Sequence, residues 1–100
     1  MLQVQIFFEK DELKGAQPLY EYIVQFLMKK KIKGATVFEG KFGYGDDKRL
    51  NRPDALFSFD QTPMMIVFID EEEKVKVALT ALRKELKTTF IVTTKVEAWI

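Results

Sequence analysis

From Leu2 to Phe8 apolar and polar residues alternate. Leu2, Val4, Ile6 and Phe8 share one face and Gln3 and Gln5 the other, the period-two pattern of a strand. "EKDELKGAQ" is polar and broken by glycine, and reads as a loop. Pro18 then suits a first helical position, where its missing N–H costs nothing. Leu19, Tyr22, Ile23, Phe26 and Leu27 recur at intervals of three and four and predict a helix. Tyr20, Val24 and Met28 add a second apolar stripe. Lys29, Lys30 and Lys31 fall at its negative pole, and Gly34 suits its termination. Ala35 to Phe42, with β-branched Thr36 and Val37, reads as the second strand. Residues 43–54 carry Gly, Asp, Asn and Pro and predict a long loop, and "ALFSF" a short strand. "TPMMIVFID" is a continuous apolar run, the mark of a strand in the centre of a sheet. Asp70, with Glu73 three residues on, resembles a helix start. Val75, Ala78, Leu79, Leu82 and Leu86 mark the second helix, and "TTFIVTTKVEAWI" a closing β-branched strand.

The order is β-α-β-β-α-β, an α+β protein on the ferredoxin-like plan. Right-handed crossovers put both helices on one face of a four-stranded antiparallel sheet. The other face is left uncovered. The strands offer apolar residues to both sides: Phe7 opposes Phe8, and Phe90 and Val92 oppose Ile91. A lone domain would expose too much of that surface, so an oligomer that buries the open face is expected.

One hundred residues make a single domain, 1–100. A net charge of +1 argues against a dedicated nucleic-acid binder. The chain has no cysteine and no histidine, which removes thiolate chemistry, the commonest general base and the commonest zinc ligand. The first residues, "MLQVQIFFEKDE", do not read as a signal peptide. The longest apolar run, Met64 to Ile69, is too short to span a bilayer. A cytoplasmic protein is expected.

The stretch "GATVFEGKFGYGDDKRLNRPD" holds the strongest candidate chemistry. Gly40, Gly43 and Gly45 allow close backbone approach, and successive N–H groups can form an anion nest. Lys48, Arg49 and Arg52 can meet phosphate oxygens, and Tyr44 can stack on a base. The plainer reading is a surface hairpin, since "GKFGYG" is not a dinucleotide fingerprint. The run Asp70 to Glu73 fits a helix N-terminus better than a metal site. Asp46 and Asp47 could reach a phosphate-bound Mg²⁺, but nothing fixes them there. No metal site is expected. The lysines at 29–31 and 33 complement the helix pole, and Lys14-Gly15 is a weak anion candidate before the helix. Trp99 reads as packing at a subunit contact.

"GAQPLYEYIVQFLMKKKIKGATVFEGKFGYG" resembles the DUF190 family, described as PII-like, and "SFDQTPMMIVFIDEEEKV" is similar to that family's strand after a Ser-x-Asp-x-x-Pro turn. The resemblance covers nearly the whole chain. It implies a ferredoxin-like protomer in a compact homotrimer, binding adenine nucleotides in clefts between subunits. A long mobile loop after the second strand would dock on a target protein. By position, Gly40, Gly43, Tyr44 and Gly45 would form the loop base near the cleft, with Lys48, Arg49 and Arg52 on the loop. The sequence departs from PII proteins at "RKELKTT", which lacks their glycine- and lysine-bearing phosphate loop. That departure implies a nucleotide with fewer phosphates, AMP or ADP, or none. Asn51 stands where DUF190 proteins commonly have histidine.

The leading expectation is therefore a PII-like trimeric regulator whose 43–54 loop docks on a membrane transporter, channel or enzyme. Catalysis is not expected: acylphosphatases share the plan but use an arginine after the first strand, where this chain has "EKDELKGAQ". The alternative is RNA binding on the open sheet face, through Phe7 or Phe8 and Phe68.

Overall fold

The computed structural model describes residues 1–44 and 62–100. Its strands are β1 (Leu2–Glu9), β2 (Leu13–Lys14), β3 (Gln17–Pro18), β4 (Thr36–Glu39), β5 (Pro63–Asp70) and β6 (Phe90–Lys95). Its helices are α1 (Leu19–Lys29) and α2 (Glu72–Glu85). The main sheet runs β4-β5-β1-β6, all neighbours antiparallel. This is the expected ferredoxin-like arrangement. The expected "ALFSF" strand, and Asp46, Asp47 and Asn51, lie outside the described residues.

The central strands explain the two faces. Leu2, Val4, Ile6 and Phe8 of β1 and Met64, Ile66 and Phe68 of β5 are buried, in one cluster with Leu19, Ile23 and Leu27 of α1 and Val75, Ala78 and Leu82 of α2. Both helices therefore cover the same side. The alternate residues form the open side. One row, Phe38, Met65, Phe7 and Phe90, crosses all four strands. The rings of Phe7 and Phe90 lie 5.8 Å apart and tilted, and Phe90 remains 64% exposed. Gln5 interrupts this side, and its amide points to the Met65 sulfur at 3.5 Å.

Several local readings are corrected. "EKDELKGAQ" is not featureless: β2 and β3 form a small hairpin whose turn holds Gly15 at φ 64°, a first central position that favours glycine. Pro18 lies just outside α1, paired with Leu13. Lys14 then reaches across to α2, donating to the Glu85 carbonyl at 3.0 Å and lying over the Tyr22 ring. It is engaged within the fold, which weakens its reading as an anion site. β4 ends at Glu39 and not Phe42, and β6 stops at Lys95.

Gly34 does not terminate α1. The helix ends at Lys29, and the left-handed closing position falls on Lys31, three residues before Gly34, at φ 65°. Lys31 N–H donates to the Met28 carbonyl at 3.0 Å and Ile32 N–H to the Leu27 carbonyl at 3.1 Å. This is a Schellman closure with lysine in the left-handed position, and buried Ile32 and Leu27 both belong to the core. The sequence signal pointed to glycine, but the apolar pair set the stop.

Asp70 is also more than a helix-start signal. It is the last residue of β5, and its side chain is fully buried. The carboxylate accepts N–H bonds from Lys33 at 2.9 Å and Glu71 at 2.8 Å, with the Lys74 ammonium at 3.2 Å. It ties the exit of α1 to the entry of α2. Burial pushes its pKa up, but these bonds and the Lys74 charge outweigh burial and hold the carboxyl below its ordinary value.

Two outcomes follow from these joints. Lys31→Gly relieves the left-handed penalty and is expected to raise stability by about 1 kcal/mol, read as a higher melting temperature. Asp70→Asn is expected to lose about 1–3 kcal/mol in urea denaturation at neutral pH. Because the folded-state pKa is depressed, the Asp70 contribution is complete above the ordinary value near 3.8 and is lost as pH falls through the lower folded value. The variant should show a shallower acid-side decline in stability than the parent.

Candidate functional site

Antiparallel pairing brings the ends of β1 and β4 and the starts of β5 and β6 to one end of the sheet. The chain leaves β4 there through Gly40 to Tyr44 and re-enters the described structure at Thr62. Gly40 N–H donates to the Pro63 carbonyl at 2.7 Å. A Cβ at Gly40 would stand 2.8 Å from Pro63 Cγ and 3.3 Å from its carbonyl oxygen, so the two backbones can meet only through glycine. Gly43 also lies against Pro63, with a Cβ position 3.8 Å from Cγ. Pro63 is tolerated in a central strand because it is that strand's first residue.

Two further contacts hold this end. Lys10 Nζ pairs with Glu39 Oε1 at 2.8 Å, and Lys10 N–H donates to the Thr62 carbonyl at 2.9 Å. Thr62 is buried although polar. Thus β1, β4 and β5 are tied at the point where the glycine segment begins.

Of the predicted site residues, Gly40 and Gly43 come together on Pro63. Tyr44 is 68% exposed, its ring open to solvent beside exposed Lys41 and Phe42. Gly45, Lys48, Arg49 and Arg52 lie outside the described residues. The backbone of this segment and the Tyr44 ring can offer polar groups and a stacking surface to a planar, anionic ligand. Pro63, Lys10 and Glu39 are parts of the arrangement that sequence reading missed. Each sits at a strand end, and their meeting becomes legible only once the strand register is known.

The segment after α2 reaches the same end of the sheet. Arg83 donates through Nη1 to the carbonyls of Leu86 and Thr89, both at 2.9 Å, and so braces the short connection to β6. A shallow cleft beside it is lined by Leu79, Thr80, Arg83, Lys84 and Lys87. Burial pushes the Tyr22 phenol up, and the Glu85 carboxylate adds to this, so Tyr22 stays protonated at neutral pH. Among the described residues there is no group of three or more His, Cys, Asp or Glu side chains that could hold a metal ion. No described helix is long and apolar enough to cross a membrane.

Residues 1–98 match the family DUF190, described as uncharacterized ACR. A UPF0166 protein of Aquifex aeolicus (strain VF5) is 33% identical over 73 residues, covering 73% of this chain and 70% of that one. Among solved structures, the chain is similar to CPII, a nitrogen regulatory PII-like protein from Thiomonas intermedia K12, bound to ADP, AMP and bicarbonate. That likeness has a TM-score of 0.65 at 19% identity, over 95% of this chain and 86% of the other. CutA1 from Pyrococcus horikoshii gives a TM-score of 0.65 at 15% identity, over 100% of this chain and 87% of that one. The fold of this chain is thus the one shared by PII-like proteins and CutA1.

The contact at Pro63 generates a paired test. Gly40→Ala forces Pro63 or the strand end to shift and is expected to cost about 1–3 kcal/mol. Gly34→Ala, with nothing within 4 Å of the added carbon, should be neutral or slightly stabilising. Chemical denaturation of the two variants side by side checks the contrast.

Proposed function

Because this chain belongs to the DUF190 family, we propose that it works as a PII-like regulator in the cytoplasm rather than as an enzyme. Protomers join into a homotrimer through the open sheet side. An adenine nucleotide, AMP or ADP, binds in the seams between them. Gly40, Gly43, Tyr44 and Gly45 form the base of the ligand site, and Lys48, Arg49 and Arg52 neutralise its phosphate. The 43–54 segment then docks on a target protein, a membrane transporter, channel or enzyme.

One observation carries this reading: an apolar sheet side that no described helix covers lies beside a glycine segment held at the sheet's end. Phe38, Met65, Phe7 and Phe90 make a continuous row that water covers poorly. Apart from Glu9 at the rim, the described strand residues facing that side carry no charge, as in the centres of protein interfaces. CPII, which shares the fold, is bound to ADP, AMP and bicarbonate, which favours the nucleotide class. The short "RKELKTT" connection, braced by Arg83, favours one or two phosphates over three. The ligand can favour a docking arrangement of the 43–54 segment only by binding that arrangement better than the others.

Isothermal titration with AMP, ADP and ATP tests the ligand step. Heat with AMP or ADP, reduced by about tenfold or more in affinity in a Lys48→Ala/Arg49→Ala double variant, is the expected result. Equal null heats with all three nucleotides remove the nucleotide from the reading. Sedimentation of the free protein is expected to give three protomers.

A further inference from the structure

Where the glycine segment leaves the sheet, an ion pair arches over a strand. Glu39 is the last residue of β4 and lies opposite Met64, while Lys10 follows β1, whose Glu9 lies opposite Pro63. Because β5 runs between them, β1 and β4 stand about 10 Å apart, two strand spacings. Lys10 Nζ crosses the start of β5 to meet Glu39 Oε1 at 2.8 Å. Resting on the nucleotide site proposed above, we infer that Lys10 is a phosphate-binding residue of that site and Glu39 its built-in competitor. On binding, a phosphate oxygen takes the place of the Glu39 carboxylate on the Lys10 ammonium.

The position of the pair argues first. Lys10 N–H donates to the Thr62 carbonyl at 2.9 Å, and Gly40, next to Glu39, donates to the Pro63 carbonyl at 2.7 Å. The ammonium is therefore delivered from a fixed backbone to the residue at which the glycine segment begins. Lys48, Arg49 and Arg52 belong to the segment itself, whereas Lys10 belongs to the frame that holds it.

The kind of partner argues second. Lys14 and Arg83, at the same end, donate to backbone carbonyls of the fold. Lys10 meets a side-chain carboxylate, and the two side chains are 36% and 53% exposed. An ion pair this open to water is weak. Phosphate for carboxylate exchanges one charge-assisted hydrogen bond for another, and a phosphate dianion brings the larger charge. While Glu39 holds the ammonium, that ammonium is not competent to bind, and the apparent affinity falls by the same fraction. Glu39 thus sets the affinity of the site. Its release, one residue from the Gly40–Pro63 contact, changes the charge at the root of the 43–54 segment when the ligand arrives.

The two partners predict opposite effects. Isothermal titration with AMP and ADP is run on the parent, Lys10→Gln, Lys10→Arg and Glu39→Gln chains. Lys10→Gln is expected to weaken binding about tenfold or more, and Lys10→Arg to restore most of it. Glu39→Gln is expected to tighten binding about two- to fivefold, because the competitor is gone. Both glutamine variants lose the same ion pair, so a merely structural role would move them in one direction. A parent that binds nucleotide, with both variants shifted the same way or Glu39→Gln left at parent affinity, overturns the exchange and leaves the regulator intact. A parent that gives no heat with either nucleotide overturns both.

Discussion

The pairing of β1 with β5 is the constraint on which everything else rests. Its register sets Leu2 opposite Asp70 and Glu9 opposite Pro63, with no break between. Side chains alternate along both strands, so a slip of β1 by one residue against β5 would send Ile6 to the open side and Gln5 under the helices. The same register puts Asp70 where it can catch Lys33 and Glu71, and Pro63 where it meets Gly40. Core, helix joint and glycine segment are thus consequences of one alignment.

Polar ties complete what the apolar core begins. Asp70 joins the two helices at one end of the molecule, while Lys14 fastens the small hairpin to the last turn of α2 at the other. Arg83 holds the turn that follows α2. Each tie satisfies backbone groups at an element's boundary, where the regular ladder of hydrogen bonds runs out. Lys10, in the same way, bridges β4 and β5 at the place from which the glycine segment departs. These contacts decide how the elements are joined. The apolar cluster decides that they pack at all.

Most of the fold was legible because its strands and helices carry clear periods. Alternation in Leu2 to Phe8 and the apolar run at Met64 to Ile69 gave the central strands. The stripe at Leu19, Ile23 and Leu27 gave α1. Its end was misread because glycine is the usual occupant of the left-handed position, whereas here the burial of Ile32 decides where the chain turns and Lys31 bears the cost. The β2–β3 hairpin was missed because two-residue strands have no period to detect. Of the candidate site, Gly40, Gly43 and Tyr44 were readable as a glycine-aromatic pattern. Pro63, Lys10 and Glu39 were not, since they meet only across strands distant in sequence. Gly45, Lys48, Arg49 and Arg52 lie beyond what the described structure addresses.

The close approach of Gly40 to Pro63 has a consequence for how this architecture diversifies. A junction anchored by backbone against backbone makes few demands on what is spliced beyond it. Lengthening a connection costs little in closure entropy, about 0.6 kcal/mol per doubling. The intervening stretch can therefore change in length and composition while the frame on either side of it stays the same.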